Sequence, residues 1–315
     1  MSDLYLGGEP LAEVIRSGFV ESRHSGSVVV LDADGEVTAW AGDVLGPVFP
    51  RSSNKPMQAV GMLAAGLDAT PAELAIISAS HRGQPVHIES VRGVLADISP
   101  AALGCPPDYP LSEDARDDLV RAGERRSPLF MNCSGKHAGM LRTCAANGWP
   151  LAGYLDPAHP VQVAIRHGVE SLAGEPAVAV GVDGCGAPLL AVSLRGLAAA
   201  FLRLVSAEPG SAPRRVADAM RAHPDLVSGT DVGGEDTHLM RAFPGLLVKG
   251  GAEGVLAAAL PGVGAVALKI DDGGMRSRVP VLAAALSRLG FALGSYADMP
   301  VLGGGTRVGE VRAVW

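Results

Sequence analysis

The chain has 315 residues, of which 48% are hydrophobic and 19% charged, and it carries a formal net charge of −7. That balance supports a large buried core and argues against nucleic acid or an anionic membrane surface as partner, because basic residues cluster only in short pairs such as Arg125-Arg126 and Arg214-Arg215. No stretch approaches the ~18–20 uninterrupted apolar residues of a membrane span, and residues 1–10 lack the basic and apolar regions of an export signal, so a cytoplasmic protein is expected.

Taken in chain order, residues 27–40 read as two strands about an Asp-Gly turn. Helical periodicity then dominates, with helices predicted at 56–65, 71–77, 87–98, 113–122, 136–146, 161–172, 194–205 and 212–222, stopped by Pro and Gly. The apolar run 177–182 predicts a buried strand. Strands return at 246–249 and 263–271, followed by a helix at 280–289 and a final strand at 309–315. There is no internal repeat or low-complexity segment. This order places the strands from both ends of the chain in one mainly antiparallel sheet covered by helices from the middle, an α/β or α+β sandwich, with residues 1–315 as a single domain. Serine β-lactamases and penicillin-binding proteins share that order.

Basic residues number 26, yet only Lys55, Lys136, Lys249 and Lys269 are lysines. Where arginine carries nearly all the surface charge, lysine is retained where a cation must lose its proton on burial, which a guanidinium does not do. Three of the four lie in Ser/Gly-rich motifs. Ser52-x-x-Lys55 is the first: at a helix start the two share a face, and a desolvated amine can take the serine proton. The competing structural reading is a serine cap followed by a surface lysine.

The second motif, Asn132-Cys133-Ser134-Gly135-Lys136-His137, crowds nucleophilic and hydrogen-bonding groups at a helix start. Asp183-Gly184-Cys185-Gly186 follows the 177–182 strand, where a glycine-flanked loop admits a ligand close to the backbone, or serves as a plain turn. Lys249-Gly250-Gly251 ends an apolar strand. The order SxxK, Ser-x-Lys, Lys-Gly-Gly resembles the SxxK, SDN and KTG order of penicillin-recognising enzymes, although neither SDN nor KTG is present. Ser80-His81 could form a dyad or only cap a helix. The four cysteines, Cys105, Cys133, Cys144 and Cys185, have no CxxC spacing, so free thiols or metal ligands are expected rather than disulfides.

Together "GFVESRHSGSVVVLDADG", "RSSNKPMQA", "SASHRGQPVH", "NCSGKHAGM", "VDGCGAPL", "GTDVGGEDTHLM" and "LLVKGGAEG" resemble the rhizobial-type (class 3, asparaginase II) L-asparaginases over nearly the whole chain. The resemblance implies a fold similar to serine β-lactamases and glutaminases, a homodimer, and hydrolysis of L-asparagine to L-aspartate and ammonia. It implies Ser52 and Lys55 as the first catalytic pair and Ser80 and Lys249 as the second. Cys133, Lys136 and Cys185 match a zinc-binding trio beside the substrate site, and Asp183 the acid that meets the substrate's α-amino group. Arg51, Lys136, His137 and Asp236 complete the expected substrate contacts. Some relatives carry a cysteine near Asp236, so a thiol role there does not transfer.

The expected mechanism is attack by Ser52 on the amide carbon, with Lys55 accepting the hydroxyl proton and no cofactor required, Zn2+ being an optional occupant beside the substrate. Two rivals stand against it: a penicillin-interacting hydrolase on the same scaffold, and a non-catalytic amino-acid-binding protein.

Overall fold

The computed structural model describes residues 4–315; residues 1–3, part of the segment read for an export signal, lie outside the described residues. The chain opens on a hairpin of β1 (Glu9–Arg16) and β2 (Phe19–Asp32), turned at Ser17 and Gly18, both with positive φ. The sequence pattern does not announce β1, because Glu13 lies buried among its apolar residues, held between Arg23 and Arg312, and breaks the alternation. β3 (Val37–Ala41) follows the expected Asp-Gly turn, where Asp32 Oδ1 accepts the N–H groups of Asp34 and Glu36.

After β4 (Pro47–Val48) and a short 3-10 turn (Arg51–Asn54) come six helices: α1 (Lys55–Ala64), α2 (Pro71–Ile77), α3 (Pro85–Leu95), α4 (Glu113–Arg121), α5 (Ser134–Ala146) and α6 (Pro160–Ala173). Strands β5 (Ala179–Val182) and β6 (Pro188–Ser193) interrupt the helices, which resume as α7 (Leu194–Ser206), α8 (Ala212–Ala222), α9 (Pro224–Ser228) and α10 (Glu235–Ala242). The chain ends with β7 (Leu247–Gly250), β8 (Val255–Leu260), β9 (Gly264–Ile270), α11 (Arg278–Arg288), β10 (Met299–Gly303) and β11 (Thr306–Ala313).

The main sheet runs β10-β11-β1-β2-β9-β8-β7 with β3 also on β2, and its pairings are antiparallel. Strands from both ends of the chain therefore meet in one sheet, as the element order predicts. The central strands are buried without alternation, β8 along its whole length, because helices cover the sheet on both faces. α7 packs on β8 and β9, and α11 on β9 and β11. The remaining helices form a layer in which α1 crosses α6 at glycines: a Cβ on Gly61 would meet Ala164 O at 2.6 Å, and one on Gly168 would meet Gly61 N at 2.7 Å. The fold is an α+β sandwich.

Two expectations are corrected. Residues 177–182 do not form a buried strand: β5 is the edge of a small β4-β6-β5 sheet, with Val178, Val180 and Val182 exposed. The helix expected at 87–98 begins at Pro85 and stops at Leu95, since Ala96 takes φ 50°. β6 and β8 escape sequence patterning because one begins at proline and the other centres on three alanines, which have weak strand preference.

Candidate active site

A cavity of about 250 Å3 opens where the Arg51–Asn54 turn, the segment after α2, the start of α10 and the end of β7 converge; Ser52, Ser80, Asn132, Asp236, Lys249 and Arg278 are among the residues lining it. A wider recess of about 390 Å3 between Asp34 and α7 brings no nucleophile and base together; its Glu175 carboxylate accepts the Ser193 N–H and hydroxyl instead.

Lysine scarcity does mark burial, Lys55, Lys136 and Lys249 each being at most 2% exposed, although attraction to nearby anions holds Lys136 in its charged form instead of releasing its proton. Lys55 Nζ donates to Ala79 O at 2.5 Å and lies 3.1 Å from Ser80 Oγ and 3.5 Å from Asn132 O. Two of those partners are carbonyls, which only accept; the hydroxyl alone can also donate. A neutral amine satisfies all three by giving its two N–H bonds to the carbonyls and its lone pair to the Ser80 proton. Burial pushes the Lys55 pKa below the usual lysine value; the Cys133 thiolate opposes this, while the positive charges of Lys136 and Lys249 reinforce it.

The expected Ser52–Lys55 contact is corrected accordingly. Ser52 lies in the 3-10 turn, while the α-helix begins only at Lys55, and no hydrogen bond joins the two side chains among the described residues. Ser52 is instead open to the cavity, and its neighbour Arg51 is held at φ 52°, a strained conformation for a non-glycine residue. Neither the Ser52 N–H nor the Ala252 N–H has a partner among the described residues, and both residues line the cavity. Gly251 packs directly on the Arg51–Asn54 turn: a Cβ there would meet Pro50 O at 2.5 Å.

Ser80 and His81 do not form a dyad. His81 Nδ1 accepts the Gly83 N–H at 3.1 Å, which leaves Nε2–H to donate to Ser134 Oγ at 2.8 Å, and Ser134 donates onward to Leu129 O. Imidazole and hydroxyl are both consumed in structure. Nor does Lys249 reach Ser80: its Nζ donates to Asp236 Oδ2 at 2.8 Å and Gly250 O at 2.9 Å, while Asp236 Oδ1 accepts the Gly250 N–H. Asp236 is thus a buried counter-ion, not a free substrate contact.

Beside the cavity, Cys133, Lys136 and Cys185 converge as expected although Cys133 lies far from Cys185 in sequence. Sulfur atoms of Cys133 and Cys185 and a carboxylate oxygen of Asp183 lie within 4.8 Å of one another, and Lys136 Nζ donates to Cys185 Sγ at 3.2 Å. The hydrogen bond from Cys185 pushes the Cys133 pKa well below that of a free thiol and pushes that of Cys185 up, so the negative charge of the pair is favoured on Cys133. Burial alone would pull Lys136 down, but attraction to Cys133, Cys185 and Asp183 outweighs it and keeps the ammonium charged.

Asp183 accepts from Arg51 Nε at 2.8 Å and from Gly184 N at 2.9 Å. Burial raises its pKa, yet Lys136 and Arg51 more than reverse this and keep it ionised. Asn132 bridges the two regions, its side-chain Oδ1 3.3 Å from Cys133 Sγ and its carbonyl facing Lys55. His137 is corrected: it is fully buried, its Nδ1 lies 2.6 Å from Tyr154 OH, and it lines no part of the cavity. Sequence analysis missed Arg278, buried at 5% exposure, which donates to Gly251 O and Val255 O and pairs with Glu235 at 2.6 Å. In a chain that uses arginine for its surface, nothing marks the buried one.

The L-asparaginase II family profile matches residues 12–313, and no curated protein sequence matches the chain. Among solved structures, Mglu in its native form aligns with TM-score 0.45 and 14% identity, covering 85% of this chain and 65% of that one, so this chain spans under two thirds of its length. A Bacillus glutaminase aligns with TM-score 0.38 and 13% identity, covering 85% of this chain and 92% of that one. A β-lactamase from Mycobacterium bovis aligns with TM-score 0.38 and 16% identity, covering 86% of this chain and 95% of that one. With a family match that runs from β1 to β11, the chain belongs to the L-asparaginase II family.

Proposed function

We propose that the protein is an amidohydrolase that converts L-asparagine to L-aspartate and ammonia by acyl transfer to serine. The observation that carries this reading is the buried Lys55 amine, 3.1 Å from the Ser80 hydroxyl in the wall of a cavity that Ser52 shares. Ser52 attacks the amide carbon; its proton passes to Ser80 as the Ser80 proton passes to Lys55. The Ser52 and Ala252 N–H groups hold the oxyanion. Lys55 then returns the proton to the departing ammonia, and water cleaves the ester by the reverse relay. The ionised Asp183 receives the substrate α-ammonium, displacing Arg51, whose guanidinium is then free for the α-carboxylate.

The short Lys55–Ser80 contact also favours a second reading, in which Ser80 itself attacks. Rapid quenching during turnover, followed by peptide mass spectrometry, decides which serine carries the aspartyl group. Ammonia release from L-asparagine, L-glutamine and β-aspartyl peptides tests the activity, and no release from any of them overturns it. Turnover of nitrocefin would favour the penicillin-interacting rival, and tight amino-acid binding without turnover the non-catalytic one.

The thiol cluster fits zinc by its donors: two buried sulfurs and a buried lysine amine lie beside a half-buried carboxylate oxygen. Zn2+ held by Cys133, Cys185 and Lys136, with Asp183 alongside, would act as a Lewis acid toward a substrate oxygen. Lys136 must lose its proton to bind, so affinity falls as pH drops. We assign the ion to substrate affinity, so EDTA dialysis should raise KM and spare kcat; complete loss of turnover restored by zinc would overturn that assignment. Residues 1–315 are proposed to act as one catalytic domain, in a cytoplasmic homodimer, which light scattering and fractionation test.

A further inference from the structure

Behind the catalytic cavity lies a second one, of about 480 Å3, between α3 and α4, and the function described above makes no use of it. Its walls are apolar at Ile88, Leu119 and Phe130, and its rim carries the carboxylates of Glu89, Asp114 and Asp118 with no Lys, Arg or His among the lining residues. This apolar groove beneath an amphipathic helix is open to solvent and is not filled by the chain's own side chains; α4 buries none of its residues fully.

Ser112 supplies an independent observation. It is the N-cap residue of α4 and only 1% exposed, yet its hydroxyl makes no capping bond and has no partner among the described residues. The residue lines this cavity, and its unpartnered hydroxyl is free to donate to or accept from whatever enters. An acceptor, carboxylates at the rim and an apolar floor together select a ligand with a charged N–H group on a hydrocarbon body.

Neighbouring residues of the chain line the two cavities. Arg82 and Leu111 line the catalytic one, Gly83 and Ser112 the second, and the Ser112 N–H donates to Arg82 O at 2.8 Å. Gln84, which also lines the second cavity, bonds Thr230 through both ends of its amide, at 3.4 and 3.3 Å, and Arg82 pairs with Asp231 at 2.5 Å. Thr230 and Asp231 belong to the glycine-rich segment that leads into Glu235 and Asp236 in the catalytic wall. We propose that the second cavity is a regulatory site for a small amphipathic primary ammonium compound, and that its occupancy reaches the catalytic cavity through Arg82 and Gln84.

Calorimetry with 2-phenylethylammonium, and with neutral 2-phenylethanol as the control, tests binding. It is run on the wild type and on Ser52→Ala, so that failure of the amidase reading leaves this test intact. The ammonium is expected to bind both proteins at one site and at least about tenfold more tightly than the alcohol. Glu89→Gln with Asp114→Asn should weaken it by a similar factor. Ser112→Ala should weaken binding while leaving the unfolding midpoint unchanged, because no cap is lost. At saturating ammonium, KM for the amide substrate should change at least about twofold. Absence of binding at millimolar ligand, equal binding of the alcohol, or full affinity in the Glu89→Gln, Asp114→Asn protein would each overturn the site, and an unmoved KM would overturn the coupling.

Discussion

Lys55 and Ser80, 25 positions apart, are joined by a 3.1 Å contact between amine and hydroxyl. Ser52, three positions before Lys55, has no such contact. The buried amine is thereby paired through the fold and not through the SxxK spacing. Lys55→Ala and Ser80→Ala should each lower kcat at least ~10²-fold while the protein stays folded, and Ser52→Ala should abolish the acyl-enzyme. Near-normal turnover in Ser80→Ala would remove the relay and leave Ser52 to pass its proton to Lys55 directly.

The Lys249–Asp236 pair is buried on both sides, at 1% and 6% side-chain exposure. Truncating one partner strands the other charge, at a cost of about 3–5 kcal/mol, whereas removing both relieves that penalty. Lys249→Ala should therefore destabilise strongly, and the double Lys249→Ala, Asp236→Ala protein should be more stable than the additive sum of the single changes. Additive losses in urea unfolding would show that the pair is not coupled. Lys249→Arg should be nearly as damaging as Lys249→Ala, because β7 is buried along its whole length and the planar guanidinium is larger than the ammonium it replaces.

Lys55 must be neutral to accept a proton, so kcat/KM should rise with pH as the free enzyme loses that proton, at a pH below the ordinary lysine value of 10.5. The lowered pKa comes first from burial and then from neighbouring cations, Lys249 among them. Deleting a cation favours the protonated form. In Lys249→Gln the acid limb should therefore move to higher pH; a limb that stays in place or moves to lower pH would contradict the Coulombic coupling.

His81 and His87 predict acid sensitivity. Burial lowers both pKa values below 6.5, and each ring is bonded in its neutral form, Nδ1 accepting a backbone N–H. A histidine depressed in the folded state stabilises fully above its unfolded pKa, and that contribution is lost as pH falls, because the unfolded chain binds the proton first. Stability should decline below about pH 6.5 with a slope of up to about 1.4 kcal/mol per pH unit for each ring. Urea unfolding between pH 7 and 5 measures this. His87→Gln should show a shallower decline than the wild type, and an equal slope would remove His87 from the account.

Much of the fold was legible because the α-helices carry strong apolar periodicity with Pro and Gly at their ends, and the β2–β3 turn carries Asp-Gly. β1 and β8 were not, since a buried Glu13 and an alanine run hide strand character that only sheet neighbours supply. In the site, lysine scarcity pointed correctly to burial, and the Cys133, Lys136 and Cys185 convergence followed from the family resemblance. Pairing within the site was not legible. Short spacing brought Ser52 to Lys55 on paper, and adjacency brought Ser80 to His81, whereas the fold gave Lys55 to Ser80 and His81 to Ser134. Long-range packing decided each partner.

Gly251 offers the most local test of the oxyanion geometry. Its N–H donates to Val255 O at 2.9 Å and its carbonyl accepts from Arg278 Nη1 at 3.1 Å, so the backbone is held at both ends. The Cβ of Gly251→Ala would meet Pro50 O at 2.5 Å and Ser53 N at 3.3 Å, and Pro50 O already accepts from Ser53. With β7 fixed, the Arg51–Asn54 turn must yield, carrying the Ser52 N–H away from that of Ala252. Overpacking should cost about 1–3 kcal/mol of stability. The loss in kcat should be larger than the change in KM, because the oxyanion forms only in the transition state. Gly93→Ala is the contrast: Gly93 lies on the exposed face of α3 with nothing within 4 Å of the added carbon, and the change should raise stability by about 0.5–1 kcal/mol without altering kcat. If Gly251→Ala keeps full kcat while Gly93→Ala behaves as expected, the Ser52 and Ala252 N–H groups are not the oxyanion donors.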